Sequence, residues 1–210
     1  MHVDIEYRSE ACPAIAAILE SVLKPGMLRN SANSWGLVSR LFHWLMAALI
    51  FAQIALGAAA ASWRLSPLKL DLFVWHKSVG MLILVLAALR ILWRMISSAP
   101  VHPAGLAPWE SRTAHIAHLL LYVLIVALPI TGWVISSASN IPFKVFWLFP
   151  LPGIAAPDQA LAEQMTQVHL ALVLLLSLLL VVHIAAALLH HCLRRNGVLL
   201  RMLTGKEANS

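Results

Sequence analysis

The sequence predicts an all-α integral membrane protein, a bundle of four transmembrane helices. Three observations predict this class: 60% of the 210 residues are hydrophobic, only 11% are charged, and the charged residues leave four long stretches almost free of charge. Such a composition excludes a water-soluble globule. The fifteen Lys and Arg residues outnumber nine Asp and Glu residues, but they flank the apolar stretches, which favours contact with anionic lipid and argues against nucleic acid as a partner.

Each apolar stretch reaches or approaches the roughly 20 residues that a helix needs to cross a hydrocarbon core of about 30 Å. The predicted spans are residues 37–61, 72–93, 116–135 and 168–189. Each must be helical, because lipid offers no partner to an unpaired backbone N–H or C=O group. In the third span, Pro129 and Gly132 predict a kink that a neighbouring helix covers.

The distribution of basic residues predicts the orientation of the bundle. Eleven of the fifteen Lys and Arg residues fall on one side of the predicted spans and four on the other. Both termini are therefore expected in the cytoplasm. The loops at 62–71 and 136–164 then face outward, and the second, rich in Pro, Gly and aromatic residues, should be a partly ordered segment at the interface. The basic residues on the outer side are Arg64, Lys69, Lys77 and Lys144.

Three regions follow from this pattern: a cytoplasmic N-terminal tail at 1–33, the transmembrane domain at 34–206 and a C-terminal tail at 207–210. The N-terminal tail has mixed charge and at most one short amphipathic helix, at about 13–23. Its acidic start and short apolar stretch are not typical of a cleaved signal peptide. An alternative is that translation starts at Met27, just before the first span.

Four histidines lie inside the predicted spans, where an ionisable side chain is costly enough to indicate function. His43 lies in the cytoplasmic third of the first span and His76 at the outer start of the second, while His169 and His183 share the fourth. Fourteen residues at about 100° each place the last two on nearly the same helical face, about 21 Å apart along the axis. His183 matches the depth of His43, and His169 that of His76. This predicts two bis-histidine sites stacked across the membrane.

Imidazole pairs at these depths favour haem b over zinc. No Asp or Glu lies inside a span to compensate a bare cation or to relay protons, whereas a porphyrin dianion brings its own compensation. Ferrous haem with two neutral imidazoles is therefore the least costly redox group to bury in lipid. The two cysteines, Cys12 and Cys192, form no C-x-x-C-H motif, so two haems would be held non-covalently.

Further histidines lie at the cytoplasmic ends of the third and fourth spans. His115 and His118 are expected to contact the interface or the haem propionates; a role as iron ligands is the alternative. His190 lies seven residues beyond His183, on the same helical face and beneath the inner haem. His190 and Arg194, one helical turn further, would offer donors to a quinone carbonyl. Snorkelling to the lipid headgroups is the alternative for His190.

Eight segments, in order along residues 34–206, resemble those of a known family: RLFHW, WHKSVG, RILWR, HIAHLLLY, ALPITG, QVHLAL, HIAAALLHH and RRNGVLLRML. The family is the bacterial cytochrome b561 group, in particular its compact four-helix form, described as a superoxide:ubiquinone oxidoreductase. The resemblance implies that His43 and His183 ligate the cytoplasmic-side haem b, and that His76 and His169 ligate the outer one. It also implies a location in the bacterial inner membrane. The N-terminal tail departs from the compact form.

The function implied by this resemblance is electron transfer across the membrane, from periplasmic superoxide to ubiquinone. Lys77 would act at the superoxide side, where the outer cations raise the local concentration of a small anion. His190 would act at the quinone side. The same fold also serves as the cytochrome b subunit of hydrogenase-like complexes. The alternative function is therefore a membrane anchor that relays electrons between the quinone pool and a protein partner docked on the Pro-rich outer loop.

A histidine-lined metal transporter is a third, non-redox alternative, which the visible spectrum of two b haems would distinguish. The expected partners are membrane lipid, quinone, and superoxide or a periplasmic redox protein. Assembly into a homo-oligomer is left open.

Overall fold

The computed structural model describes residues 28–101, 107–194 and 197–205. Its four long helices are α1 Leu37–Ser62, α2 Pro67–Ile96, α3 Pro108–Ala138 and α4 Gln159–Cys192. Each is long and apolar enough to cross a membrane. The structure therefore confirms the predicted all-α membrane fold with four spanning helices.

Three of the helices, α2, α3 and α4, begin well before the apolar stretches because their first turns are polar and capped. α2 begins at Pro67, whose missing N–H is tolerated in a first turn, and the Ser66 hydroxyl accepts from the Lys69 N–H at 3.4 Å. α3 begins at Pro108, eight residues before the predicted span, and the Glu110 carboxylate accepts from the N–H of the residue before the helix at 3.0 Å. Hydropathy locates only the lipid-embedded residues, so it missed these polar turns.

Helix α3 continues through Pro129 to Ala138, although proline removes one backbone donor. Two residues later, the hydroxyl of the half-buried Thr131 donates to the Leu128 carbonyl at 2.9 Å. A hydrogen-bonded polar side chain therefore lies beside the proline inside the span. The kink expected at Pro129 stays a prediction.

The four helices cross in alternating directions, with α1 packed on α2, α2 on α3 and α3 on α4. The bundle therefore has two ends. We call the end where α1 and α3 begin the termini end, and the end where α3 is connected to α4 the hairpin end. The buried apolar cluster of the bundle comprises Met46, Ile50, Ile83, Ala87, Leu121, Leu124, Ile125 and Leu176.

The connection between α3 and α4 contains a short β-hairpin. Its antiparallel strands are β1 Lys144–Val145 and β2 Phe149–Pro150. Phe146 and Trp147 in the turn have φ of 48° and 60°, a left-handed conformation that costs about 1–2 kcal/mol per non-glycine residue. The Phe146 N–H donates to the buried Ser78 hydroxyl of α2 at 2.8 Å, and Trp75 makes edge contacts with both aromatic rings. These contacts with α2 offset the strain, and the segment is ordered, as its composition predicted.

A fifth helix, α5 Val198–Thr204, lies at the termini end and was not predicted from the sequence. The Arg40 guanidinium of α1 donates to the Leu203 carbonyl. The Trp44 indole N–H donates to the Met202 carbonyl at 3.1 Å. These donors satisfy carbonyls that the last turn of a helix leaves unpaired. Such a short helix depends on these tertiary contacts, which a sequence pattern does not contain.

The predicted amphipathic helix at 13–23, most of the tail at 1–33 and the tail at 207–210 lie outside the described residues. The boundaries of the three regions stay predictions. The cytoplasmic location of both termini also stays a prediction.

Candidate functional site

Two pairs of histidine rings face each other between the helices. At the hairpin end, His76 of α2 and His169 of α4 have ring centroids 6.4 Å apart and an interplanar angle of 77°. At the termini end, His43 of α1 and His183 of α4 also have centroids 6.4 Å apart, at 55°. We call these the hairpin-end pair and the termini-end pair. The structure thus brings together the residues that were expected to share a depth; their role as ligands stays a prediction.

The spacing within each pair suits one metal atom between the two rings. Two imidazole–metal bonds of about 2 Å, plus about 1 Å from each nitrogen to its ring centroid, separate two axial ring centroids by about 6 Å. Each pair supplies two nitrogens, fewer than the four ligands that close a zinc site. In the described part of the chain, no group of three or more His, Cys, Asp or Glu side chains is placed to hold a metal ion. The pairs therefore fit a metal whose other donors belong to a macrocycle, as in haem.

Helix α4 packs mainly on α3. The α4 backbone lies close to that of α3 and approaches α1 and α2 much less, although its histidines face theirs. Gly57 of α1 lies against the His76 ring, since a Cβ there would be 2.8 Å from Cε1. A Cβ at Gly132 of α3 would make an ordinary contact of 3.6 Å with His169. A side chain larger than glycine at position 57 would therefore displace the His76 ring.

Two uncharged polar side chains contact the hairpin-end pair. The Gln53 amide of α1 donates to the His76 backbone carbonyl at 2.7 Å, and the Thr131 hydroxyl of α3 lies 2.8 Å from His169 Nδ1. Among the residues described, Gln53 Oε1 and His76 Nδ1 are buried without a hydrogen-bond partner. Neither Gln53 nor Thr131 was predicted from the sequence as a site residue, although a polar residue inside an apolar span was an available signal.

The basic residues of the hairpin end differ in their contacts. Lys77 follows His76 in the chain, and its ammonium lies 5.1 Å from the centroid of the Phe143 ring. The Lys69 ammonium donates to the Trp63 carbonyl at 2.9 Å and so caps the end of α1. Two exposed basic residues are Arg64 and Lys144. Three acidic residues lie at this end as well: Asp71, Asp158 and Glu163. Four basic residues against three acidic ones leave this end with a net formal charge of +1, and Lys77 is the cation adjacent in sequence to the histidine pair.

An arginine and a third imidazole contact the termini-end pair. The His118 ring of α3 has its centroid 5.5 Å from that of His183. Arg90 of α2 places Nη2 3.3 Å from His43 Nδ1, and its guanidinium lies 5.5 Å from the Tyr122 ring centroid. Arg90 was counted among the basic residues that set orientation and begins the RILWR segment, but its contact with His43 was not predicted, because that contact depends on how α2 packs on α1. His118 is close enough to the pair for either role expected of it.

His115 is exposed, and its Nδ1 lies 2.8 Å from the Ser111 carbonyl one turn earlier in α3. Ring nitrogen Nδ1 is therefore the donor to this carbonyl. His115 therefore hydrogen-bonds to its own helix, whereas the His118 ring contacts His183 of α4.

The two residues expected at a quinone site lie in different local structures. His190 is half-buried in the last turn of α4. Arg194 lies beyond the end of α4, and its guanidinium forms an ion pair with the buried carboxylate of Glu110 in the first turn of α3. The expected position of Arg194 on helix α4 is wrong, because that helix ends at Cys192 and the ion pair directs the side chain to α3.

A membrane-spanning helical bundle with histidine pairs between its helices defines a class of protein, the b-type cytochromes. The sequence profile of prokaryotic cytochrome b561 matches residues 34–205. The chain belongs to the prokaryotic cytochrome b561 family, which implies that it binds haem b and transfers electrons in a membrane.

Three relatives agree with this assignment. The chain is 33% identical over 185 residues to "Cytochrome b561 homolog 2" of Escherichia coli (strain K12), which covers 86% of this chain and 96% of the relative. It is 33% identical over 132 residues to "Probable superoxide oxidase CybB" of Yersinia pestis, which covers 63% of this chain and 74% of the relative. It is 25% identical over 132 residues to "Cytochrome b561 homolog 1" of Escherichia coli (strain K12), with coverage of 63% and 74%.

Replacing Gly57 with alanine tests the close approach of α1 to His76. The methyl group would lie 2.8 Å from the ring, so we expect the ring to shift and the haem content to fall, although alanine favours a helix by about 1 kcal/mol. Haem per chain in the purified protein measures the effect. Gly132→Ala is the control, because its methyl group makes an ordinary 3.6 Å contact. Equal haem content in the two variants would contradict the expected displacement.

Proposed function

We propose that the chain binds two haem b groups and transfers electrons across the bacterial inner membrane from periplasmic superoxide to ubiquinone. His43 and His183 would ligate the iron at the termini end, and His76 and His169 the iron at the hairpin end. The hairpin end would face the periplasm and the termini end the cytoplasm. Two superoxide anions would be oxidised to dioxygen, and one ubiquinone would take up the two electrons and two protons.

The observation that supports this proposal is the pair of equal 6.4 Å ring spacings at two depths of one bundle. Both pairs take one ligand from α4, and the fourteen residues between these ligands correspond to a rise of about 21 Å. The two centres would therefore lie near opposite faces of the membrane. This placement lets electrons cross without movement of the protein.

The residues around the pairs would decide which chemistry is allowed. When bound, haem b supplies an iron that alternates between ferrous and ferric states. Because two histidines would hold each haem iron, neither dioxygen nor another substrate would bind the iron directly. The buried apolar cluster of the bundle, including Met46 and Leu124, excludes water from the bundle interior. Simple electron transfer is the chemistry that remains.

At the hairpin end, the chain would attract superoxide electrostatically. The Lys77 ammonium is the cation adjacent in sequence to the histidine pair, and Arg64 and Lys144 are exposed at the same end. A local positive field raises the encounter rate of an anion, by about 10-fold or more at low salt. The name of the Yersinia pestis relative, a probable superoxide oxidase, supports the same substrate.

At the termini end, His190 would donate a hydrogen bond to a quinone carbonyl. It lies in the last turn of α4, seven residues after His183. Arg194 would act there by holding the end of α4 against α3 through its ion pair with Glu110. The other N–H groups of this half-exposed guanidinium would donate to the quinone together with His190.

The ligand assignment predicts that haem is lost pairwise. His43→Ala and His183→Ala should remove the same spectral component, and His76→Ala and His169→Ala the other, each leaving one haem of two. Pigment quantification and redox difference spectra of the purified variants measure this. His118→Ala is the control and should keep both haems. If His43→Ala and His76→Ala removed the same component, the pairing would be wrong.

The superoxide assignment predicts a salt-dependent reaction. Oxidised protein mixed anaerobically with superoxide should show haem reduction and then reoxidation by added ubiquinone. Reduction should slow as salt rises, because exposed charges are screened over about 10 Å at 0.1 M ionic strength. Lys77→Gln should lower both the rate and its salt dependence, with haem content intact.

Lys77→Arg, which keeps the charge, is the matched control for this experiment. Lys69→Gln is a poor control, because Lys69 caps the end of α1. A rate that is independent of salt and of Lys77 would favour the alternative function. In that function, a protein partner docked on the Pro-rich loop between α3 and α4 donates the electrons.

The quinone assignment predicts that His190→Leu keeps both haems, keeps the rate of reduction by superoxide and slows reoxidation by ubiquinone several-fold. The physical reason is the loss of a donor to the quinone carbonyl, which contributes about 1 kcal/mol in a typical neutral hydrogen bond. Stopped-flow reoxidation kinetics measure it. His191→Leu is the control, because the adjacent His191 is exposed on another face of the helix. Equal kinetics in both variants would place the quinone elsewhere.

A further inference from the structure

Thr131 of α3 has a hydroxyl that contacts two acceptor-capable groups at once. Its Oγ1 lies 2.9 Å from the Leu128 carbonyl oxygen and 2.8 Å from Nδ1 of His169. Thr131 is half-buried and lies inside a span, where water is not available to either group. The Thr131 hydroxyl, the Leu128 carbonyl and the His169 ring must therefore satisfy one another's hydrogen-bonding capacity.

A count of protons assigns the direction of both bonds. The carbonyl oxygen can only accept, and a hydroxyl has a single hydrogen to donate. If that hydrogen pointed to His169, two oxygens with no hydrogen between them would face each other at 2.9 Å. The hydroxyl therefore donates to Leu128, and its oxygen accepts from His169, whose ring also hydrogen-bonds to the Leu128 carbonyl. The Nδ1 atom of His169 then bears the hydrogen, which leaves Nε2 with a free lone pair.

His76 and His43 differ from His169 in the contacts of Nδ1. His76 Nδ1 is buried and has no hydrogen-bond partner in the described ranges. His43 Nδ1 faces the Arg90 guanidinium, which can only donate. Of His169, His76 and His43, His169 is the one whose Nδ1 contacts an acceptor among the described residues.

We infer that Thr131 is a positioning residue of the hairpin-end haem site, where it holds His169 in the tautomer whose Nε2 can ligate iron. This inference rests on the proposed assignment of His76 and His169 as ligands. Hydrogen bonding to the non-ligating ring nitrogen fixes the orientation of the ring and raises the basicity of the ligating nitrogen. A more basic ligand stabilises ferric iron relative to ferrous iron. Thr131 therefore lowers the potential of this haem and strengthens its binding.

Thr131→Val tests the inference, because valine keeps the shape of threonine and removes the hydroxyl. In a redox titration of the purified holoprotein, we expect the midpoint potential of the hairpin-end haem to rise while that of the termini-end haem stays constant. Transfer of haem to an excess of a haem-free acceptor protein should become about 10-fold faster or more for this haem alone. Thr131→Ser, which restores the hydroxyl, should restore both values.

Thr166→Val is the matched control. Thr166 of α4 also donates its hydroxyl to a carbonyl of its own helix, Ala162, at 2.7 Å, so it reproduces the helix-bonding role of Thr131. If Thr131→Val titrates like the parent, or if Thr166→Val causes the same shift, the inference is overturned. If Thr131→Val loses the haem entirely, Thr131→Ser decides: retention at the parental potential supports the inference, and loss overturns it.

The experiments distinguish a wrong ligand assignment from a wrong role for Thr131. If His76→Ala and His169→Ala do not remove one common haem, the assignment of the site is wrong. If they do remove it and Thr131→Val leaves its potential and release rate unchanged, the ligand assignment stands and the role of Thr131 is wrong.

Discussion

Lipid offers no hydrogen-bond partner, and this constraint governs how the bundle uses its polar groups. Backbone groups are satisfied within the helices. A polar side chain inside a span must instead find its partner on another helix or in a cofactor. Gln53 and Thr131 show the first solution, since each contacts a histidine of a neighbouring helix. The buried Nδ1 of His76 has no hydrogen-bond partner among the described residues, and its ring faces that of His169 where the haem is proposed to bind.

Helix α4 makes both histidine pairs possible. Its lipid-embedded segment has the highest mean hydropathy of the four spans, 2.9, yet it contributes one imidazole to each pair. Its backbone lies close to α3 and approaches α1 and α2 much less, although these two helices supply the partners His43 and His76. A fourteen-residue spacing on a rigid helix sets the distance between the pairs, so no loop or hinge enters the route between them.

The two ends of the bundle differ in the chemistry that surrounds otherwise similar pairs. At the hairpin end, a strained turn is held on α2 by Ser78 and Trp75, beside Lys77. At the termini end, Arg90 contacts His43, and α3 and α4 are connected by an ion pair. Identical imidazole spacing with different neighbours is what a protein needs if the electron donor and acceptor differ at the two membrane faces.

The sequence by itself determined the four spans and the depths of the histidines, because hydropathy and helical periodicity are local properties of the chain. It also contained the family segments. Only the tertiary structure decided the neighbours of each imidazole. The contact of Arg90 with His43, that of Thr131 with His169 and the end of α4 before Arg194 depend on which helices pack together and how they are rotated. Periodicity does not specify that rotation, since each helix here is apolar on nearly all faces.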